Sequence, residues 1–114
     1  MHELSIAQEI ISIVKSSVQP EELSRVSRVE IKVGKMQNVL VESLVFCFAG
    51  IKELDNLNNA ELVVKEITSA IRCKECSAET EIEGIRFACV ACGSASTELI
   101  RGTELQVSFI DIDD

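Results

Sequence analysis

Cys73-Lys-Glu-Cys76 and Cys89-Val-Ala-Cys92, two C-x-x-C pairs with twelve residues between them, decide how this chain of 114 residues is read. A C-x-x-C turn brings two sulfurs within reach of one metal ion. Two such knuckles facing each other supply four sulfurs at ~2.3 Å in a tetrahedron, the usual closed structural zinc site. Gly93 follows the second pair, where a glycine lets the chain turn and aims backbone N–H groups at sulfur. Glu83-Gly84 is placed to turn a hairpin between the knuckles, with Ile82, Ile85 and Phe87 packing beneath it. Two disulfides would need an oxidising compartment, of which the sequence holds no sign. A thioredoxin-like redox site needs one pair at a helix start rather than two pairs. An iron–sulfur cluster is the remaining alternative, because four thiolates also hold one.

Four thiolates around Zn²⁺ leave no open coordination position, so such a site does not activate water. Its work is folding, because a binding free energy on the order of 10 kcal/mol becomes folding energy. The segment around the cysteines, 69–100, shows little helical periodicity and has too few apolar residues for a core of its own. Elements flank it on both sides. Leu4, Ala7, Ile10, Ile11 and Val14 share one face of a helix over 4–15. Pro20 with Glu21 and Glu22 breaks the chain and starts a short helical turn. Val29, Ile31 and Val33 alternate with Arg28, Glu30 and Lys32, which predicts a half-buried strand ended by Gly34. Val41, Leu44, Val45, Phe48 and Ile51 form a second helical stripe, ending before the Asn-rich loop 55–59. Strands are predicted at 62–67 and, from the alternation of Leu105, Val107 and Phe109, near the C-terminus, with a frayed acidic tail of Asp111, Asp113 and Asp114. Cys47, between Phe46 and Phe48, reads first as a small buried hydrophobe and only second as a fifth ligand or reactive thiol.

Eleven basic against nineteen acidic residues leave a formal charge of −8. That excludes the basic footprint of a phosphate-backbone binder and suits a cationic ligand or partner. A nucleic-acid-binding zinc ribbon, or a purely structural one, is the rival reading. Within 69–100, however, Arg72, Lys74 and Arg86 stand against Glu75, Glu79, Glu81, Glu83 and Glu98, with Phe87 the only aromatic ring for a base to stack on. One histidine, no base–nucleophile pair and no open metal position argue that the chain is not an enzyme. The longest apolar stretch, 44–51, falls far short of the ~20 residues that span a bilayer. No basic stretch precedes an apolar run at the start, so no secretory signal is expected and the expected compartment is the cytoplasm, where thiols stay reduced.

The single histidine is His2. A histidine there is ordinarily a solvated chain end, yet its chemistry is specific. The amine of Met1, the amide nitrogen of His2 and its imidazole δ-nitrogen can close two fused chelate rings, and planar nitrogen donors suit Ni(II) or Cu(II). Glu3 is near enough to add an oxygen ligand or to orient the imidazole.

Met1-His2-Glu3-Leu4-Ser5, the α/β run after it, the two cysteine pairs and Gly102-Thr-Glu-Leu105 follow one another over essentially the whole chain. In that order the pattern resembles the HypA/HybF family of nickel-delivery accessory proteins for [NiFe] hydrogenase maturation. The resemblance implies an α+β fold, with two helices on a three-stranded mixed sheet and an inserted four-cysteine zinc-ribbon module. It implies a nickel-binding domain over 1–68 and 101–114 and a zinc-binding domain over 69–100. It implies transferable Ni(II) at His2, with Met1 contributing its amine and Glu3 tuning the site, and structural Zn(II) on Cys73, Cys76, Cys89 and Cys92. The implied partners are the GTPase HypB, the [NiFe] hydrogenase large subunit and, in some bacteria, the urease maturation proteins; neither nucleic acid nor a membrane is among them. A module set between two strands is compatible with a monomer and with a domain-swapped homodimer. Val90-Ala91 stands where many relatives have a proline in the second knuckle, and no histidine flanks the zinc cysteines, so no histidine-driven pH switch is expected there.

Overall fold

The computed structural model describes residues 2–84 and 86–114; the expectations placed on Met1 and Ile85 lie outside them. In order, the elements are α1 (His2–Ser17), a 3₁₀ turn (Pro20–Arg25), β1 (Val26–Gly34), a second turn (Lys35–Gln37), α2 (Val41–Ile51), a third (Lys52–Asp55), β2 (Glu61–Ile67), β3 (Ser69–Cys73), β4 (Glu79–Ile82), β5 (Thr97–Arg101) and β6 (Leu105–Ile112). The strands form two three-stranded sheets, ordered β2-β1-β6 and β4-β3-β5. The chain divides into two compact units: residues up to Lys32 with Val39–Lys65 and Gln106–Asp114, and Val33–Asn38 with Glu66–Leu105.

In the first unit the helical stripe of α1 buries Ile6, Ala7, Ile10, Ile11 and Val14. The helix begins at His2, two residues before its first apolar position, with Glu3 in the first turn and Lys15 in the last, each suiting the helix dipole. Pro20 opens the expected turn, and the Gln19 N–H donates to Glu22 Oε1 at 2.9 Å across it. Val29 and Ile31 of β1 are fully buried, with Leu44 and Phe48 of α2. The polar side of β1 is less open than its alternation suggests: Glu30 is buried, and the Ser108 hydroxyl donates to its carboxylate at 3.0 Å. The Asp113 N–H donates to Arg25 O at 2.8 Å and Ser108 Oγ reaches Glu30 O, so β6 runs antiparallel to β1 in a mixed sheet. The C-terminal tail corrects the expectation of fraying, since β6 extends to Ile112 and Asp111 accepts from Arg28 Nε at 3.0 Å. The Arg28 guanidinium also lies 4.9 Å from the Phe109 ring centroid. The Asn-rich loop is a folded corner rather than an open one. Asn56 turns it in the left-handed region, and Leu57, with its N–H on Lys52 O, is fully buried.

The second unit contains strands that the absence of helical periodicity did not reveal. β3 is central, paired antiparallel with β4 (Ala70 opposite Glu81) and with β5 (Cys73 opposite Thr97), the latter with a bulge between Ala70 and Ile71. The hairpin turn is the first knuckle itself, joining β3 to β4, and not Glu83-Gly84, which leads from β4 towards the second knuckle. Phe87 is partly exposed rather than packed beneath, while Ala70 and Ile71 are fully buried.

At the entry to β6 the backbone comes very close to the end of β1. The Gly34 N–H donates to Glu104 O and the Met36 N–H to Gly102 O, both at 2.8 Å. A Cβ on Gly34 would overlap the Gly102 carbonyl, and one on Gly102, at φ +120°, would lie 2.5 Å from Ser69 Oγ. Gly34→Ala therefore lowers stability by about 1–3 kcal/mol or more, the range of overpacked cores. Gly50→Ala, in α2 with open space where the methyl would go, raises it by roughly 0.5–1 kcal/mol. Urea denaturation of the two variants beside the parent checks both signs.

Candidate metal centres

The two knuckles repeat one local geometry. In the first, the Cys73 N–H donates to Ala78 O at 2.9 Å and the Ser77 N–H to Cys73 O at 3.0 Å; in the second, the Cys89 N–H donates to Ser94 O at 2.9 Å and the Gly93 N–H to Cys89 O at 2.8 Å. Ser77 (φ +63°) and Gly93 (φ +77°) occupy the same left-handed position. That is the conformation expected of Gly93, although its N–H serves a carbonyl and not a sulfur. The sulfur-directed donors flank it: the N–H groups of Glu75 and Cys76 each donate to Cys73 Sγ at 3.4 Å, those of Cys92 and Ala91 serve Cys89, and those of Ala78 and Ser94 serve Cys76 and Cys92.

These turns bring all four predicted cysteines together, with every sulfur within 4.8 Å of the others. Cys73 Sγ lies 3.6 Å from Cys92 Sγ and Cys76 Sγ lies 3.6 Å from Cys89 Sγ. Sulfurs at ~2.3 Å from a tetrahedral ion stand about 3.8 Å apart, so the cage needs little adjustment to close on one. Cys73 and Cys89 are buried, Cys76 and Cys92 exposed. The Cys76 and Glu75 N–H groups, against burial, draw the Cys73 thiol down to about 7. The Ser94 N–H pulls Cys92 the same way, but its hydrogen bond to Cys73, burial and the neighbouring thiols outweigh that and push it up to about 12. Part of the cage thus holds protons that a dication would replace. Cys47 is half-buried on α2 and is not one of this group.

At the other candidate centre, His2 and Glu3 open α1. The imidazole is exposed, with its side chain at 54%, and Nδ1 lies 3.7 Å from Glu3 Oε2, beyond hydrogen-bond length. Glu3 is held from across the fold: the Leu40 N–H, at the start of α2, donates to Oε2 at 3.2 Å. That bond, then the carboxylate's hydrogen bond to its own backbone and the nearby imidazole, lowers the Glu3 pKa. Nothing in the sequence marks Leu40 as a partner of Glu3, 37 residues away. Cys73 and Cys76, in contrast, are legible from their spacing, though the sulfur-directed N–H groups are not.

Fold and cage together define the class: a small α+β protein with two main helices, a three-stranded sheet and a four-cysteine metal cage. The family model for hydrogenase/urease nickel incorporation, metallochaperone, hypA, matches residues 1–112. Hydrogenase maturation factor HypA of Desulfatibacillum aliphaticivorans is 40% identical over 116 aligned positions, covering 100% of this chain and 88% of that protein. Its counterpart from Desulfosudis oleivorans is 35% identical over 98% of each chain. The solution structure of the Ni metallochaperone HypA from Helicobacter pylori superposes with a TM-score of 0.69 at 19% identity, covering 98% of this chain and 97% of that one, which shows a common fold. The chain belongs to the HypA family of hydrogenase maturation factors.

A carboxylate whose folded pKa is lowered stabilises the fold above its unfolded value and loses that contribution as pH falls. The stability difference between the parent and Glu3→Ala is therefore full above the ordinary value of 4.5 and closes as the pH drops below it. Urea denaturation at pH 7, 5 and 3.5 checks the trend.

Proposed function

We propose that this member of the HypA family carries Ni(II) at the first turn of α1 and passes it to the maturing hydrogenase, while Zn(II) in the cysteine cage acts as a permanent fold element. The observation that carries the reading is the His2–Glu3 pair. An exposed imidazole nitrogen and an ionised carboxylate oxygen lie 3.7 Å apart, with the carboxylate held in place by the Leu40 N–H. The first amides of a helix have no intrahelical acceptor, so the backbone nitrogen of His2 is not committed to the helix ladder. With the amine of Met1 it completes a nitrogen set suited to Ni(II). Glu3 acts beside that set, as an oxygen ligand or as the group that orients the ring. An ion held at an exposed chain end exchanges readily, which is what delivery requires.

Cys73, Cys76, Cys89 and Cys92 are the zinc ligands in this reading, and their spacing supports it. One ion fits the 3.6 Å sulfur pairs, whereas an iron–sulfur cluster would hold the cysteines farther apart. Zinc supplies charge there and no chemistry, since four thiolates close the coordination shell. Partners are the GTPase HypB and the [NiFe] hydrogenase large subunit, with urease maturation proteins as a second destination, all in the cytoplasm. No helix among the described residues is long and apolar enough to cross a membrane. A nucleic-acid role is disfavoured by pairing: Arg72 faces Glu79 at 3.2 Å and Glu98 at 3.6 Å, and Arg101 reaches Glu81 at 4.0 Å, so cations of the ribbon are spent across its own strands.

His2→Ala abolishes nickel binding and leaves zinc content and thermal unfolding unchanged, and a single residue added before Met1 weakens nickel by moving the amine. Calorimetry on untagged protein reads both. Nickel affinity falls as pH drops, because ligation needs a neutral imidazole and releases the amide proton. Cys73→Ser or Cys92→Ser loses zinc and amide-exchange protection in β3–β5; retention of both would remove the zinc assignment.

A further inference from the structure

α2 is apolar on the side where a surface helix is normally polar. It buries Leu44 and Phe48, and the opposite arc of the helix carries Val45, Phe46, Ala49 and Gly50, with Glu42 and the small Ser43 as its polar residues. Phe46 is 78% exposed, and Leu54, in the 3₁₀ turn that continues the helix, is 83% exposed. Ala49 and Gly50, both exposed, lie between these two bulky residues in the chain, and a Cβ built on Gly50 meets nothing within 4 Å. Exposed apolar residues scattered singly need no explanation, but a contiguous row along one helix marks a contact surface.

Charge selects the occupant. Glu42 and Glu53 are exposed at the two ends of the row, eleven residues apart and so about 17 Å along the axis. Lys52, beside Glu53 in the chain, is engaged elsewhere, its Nζ donating to Ala60 O at 2.8 Å, and Lys15 Nζ donates to Asp55 at 2.7 Å. A second copy docked two-fold through this face, with its helix antiparallel, would set Glu42 against the partner's Glu53 at both ends, like charge on like. An apolar stripe bounded by Lys or Arg meets complementary groups at every position.

We propose that the outer face of α2, from Val45 to Leu54, docks an amphipathic helix of a partner protein that carries a bulky apolar stripe between basic residues at both ends. The start of α2 also gives its Leu40 N–H to Glu3 Oε2, so a helix seated there lies close to the first turn of α1. The proposal stands on exposure and charge and does not depend on which ion that turn binds.

The test uses the full chain and two labelled helical peptides with the same leucine stripe, one ended by lysines and one by glutamates, in fluorescence anisotropy titrations. The lysine-ended peptide binds at least about tenfold tighter than the other, and Phe46→Ser weakens it by about tenfold or more. Glu42→Lys combined with Glu53→Lys reverses the preference between the peptides. Phe46 is solvent-exposed, and an unchanged thermal midpoint shows that the variant is folded. Equal binding of the two peptides, no binding of either, or an unaltered affinity in Phe46→Ser overturns the proposal. So does a dimer in sedimentation that Phe46→Ser dissolves, which assigns the face to a second copy of the chain.

Discussion

Four cysteine sulfurs crowded within 4.8 Å impose an electrostatic condition on the second unit. Thiolates that close cannot all ionise without a cation, and the cage shows it. The Cys76 and Glu75 N–H groups draw Cys73 towards the thiolate, while its hydrogen bond to Cys73 and the neighbouring thiols drive Cys92 up to about 12. A divalent ion resolves the conflict by taking the place of the protons. The described residues of the unit offer little else to hold it, because beyond the two buried cysteines their buried apolar side chains are few, chiefly Val33, Ala70 and Ile71. A core of that size offsets little of the entropy of ordering the chain, and in the proposed reading metal binding supplies the difference.

The proposed nickel turn obeys the opposite logic. The cage has four sulfurs, two of them buried and each knuckle strapped by paired backbone bonds. The His2–Glu3 turn has an exposed ring and, among the described residues, is tethered by the hydrogen bond from Leu40 to Glu3. Release of an ion from the cage requires opening a hydrogen-bonded turn, whereas release from a helix end requires little more than side-chain rotation. In the proposed reading, that difference is what lets one small chain keep one metal and lend another.

α2 links packing to recognition. Its inner side anchors the first unit through Leu44 and Phe48, its first residue's neighbour holds Glu3, and its outer side presents Phe46 and Leu54 to solvent. A helix this rich in apolar residues and covered on one side only is costly to expose, and the acidic residues Glu42 and Glu53 limit what can cover it.

The amino-acid order by itself determined what is periodic or closely spaced. The stripes of α1 and α2, the alternation of β1, and the four cysteines as one metal set could be read because each lies within a few residues of its own pattern. It did not reveal β3, β4 and β5, whose short strands alternate weakly, nor the hairpin made by a knuckle, nor the burial of Leu57 inside an Asn-rich loop. It could not show that Gly34 and Gly102 press backbone on backbone, or that Leu40 fixes Glu3. Those are contacts between residues far apart in the chain. Which of them form is decided by how the elements pack, because a hydrogen bond or a steric overlap depends on distance in space, and local composition carries no record of that distance.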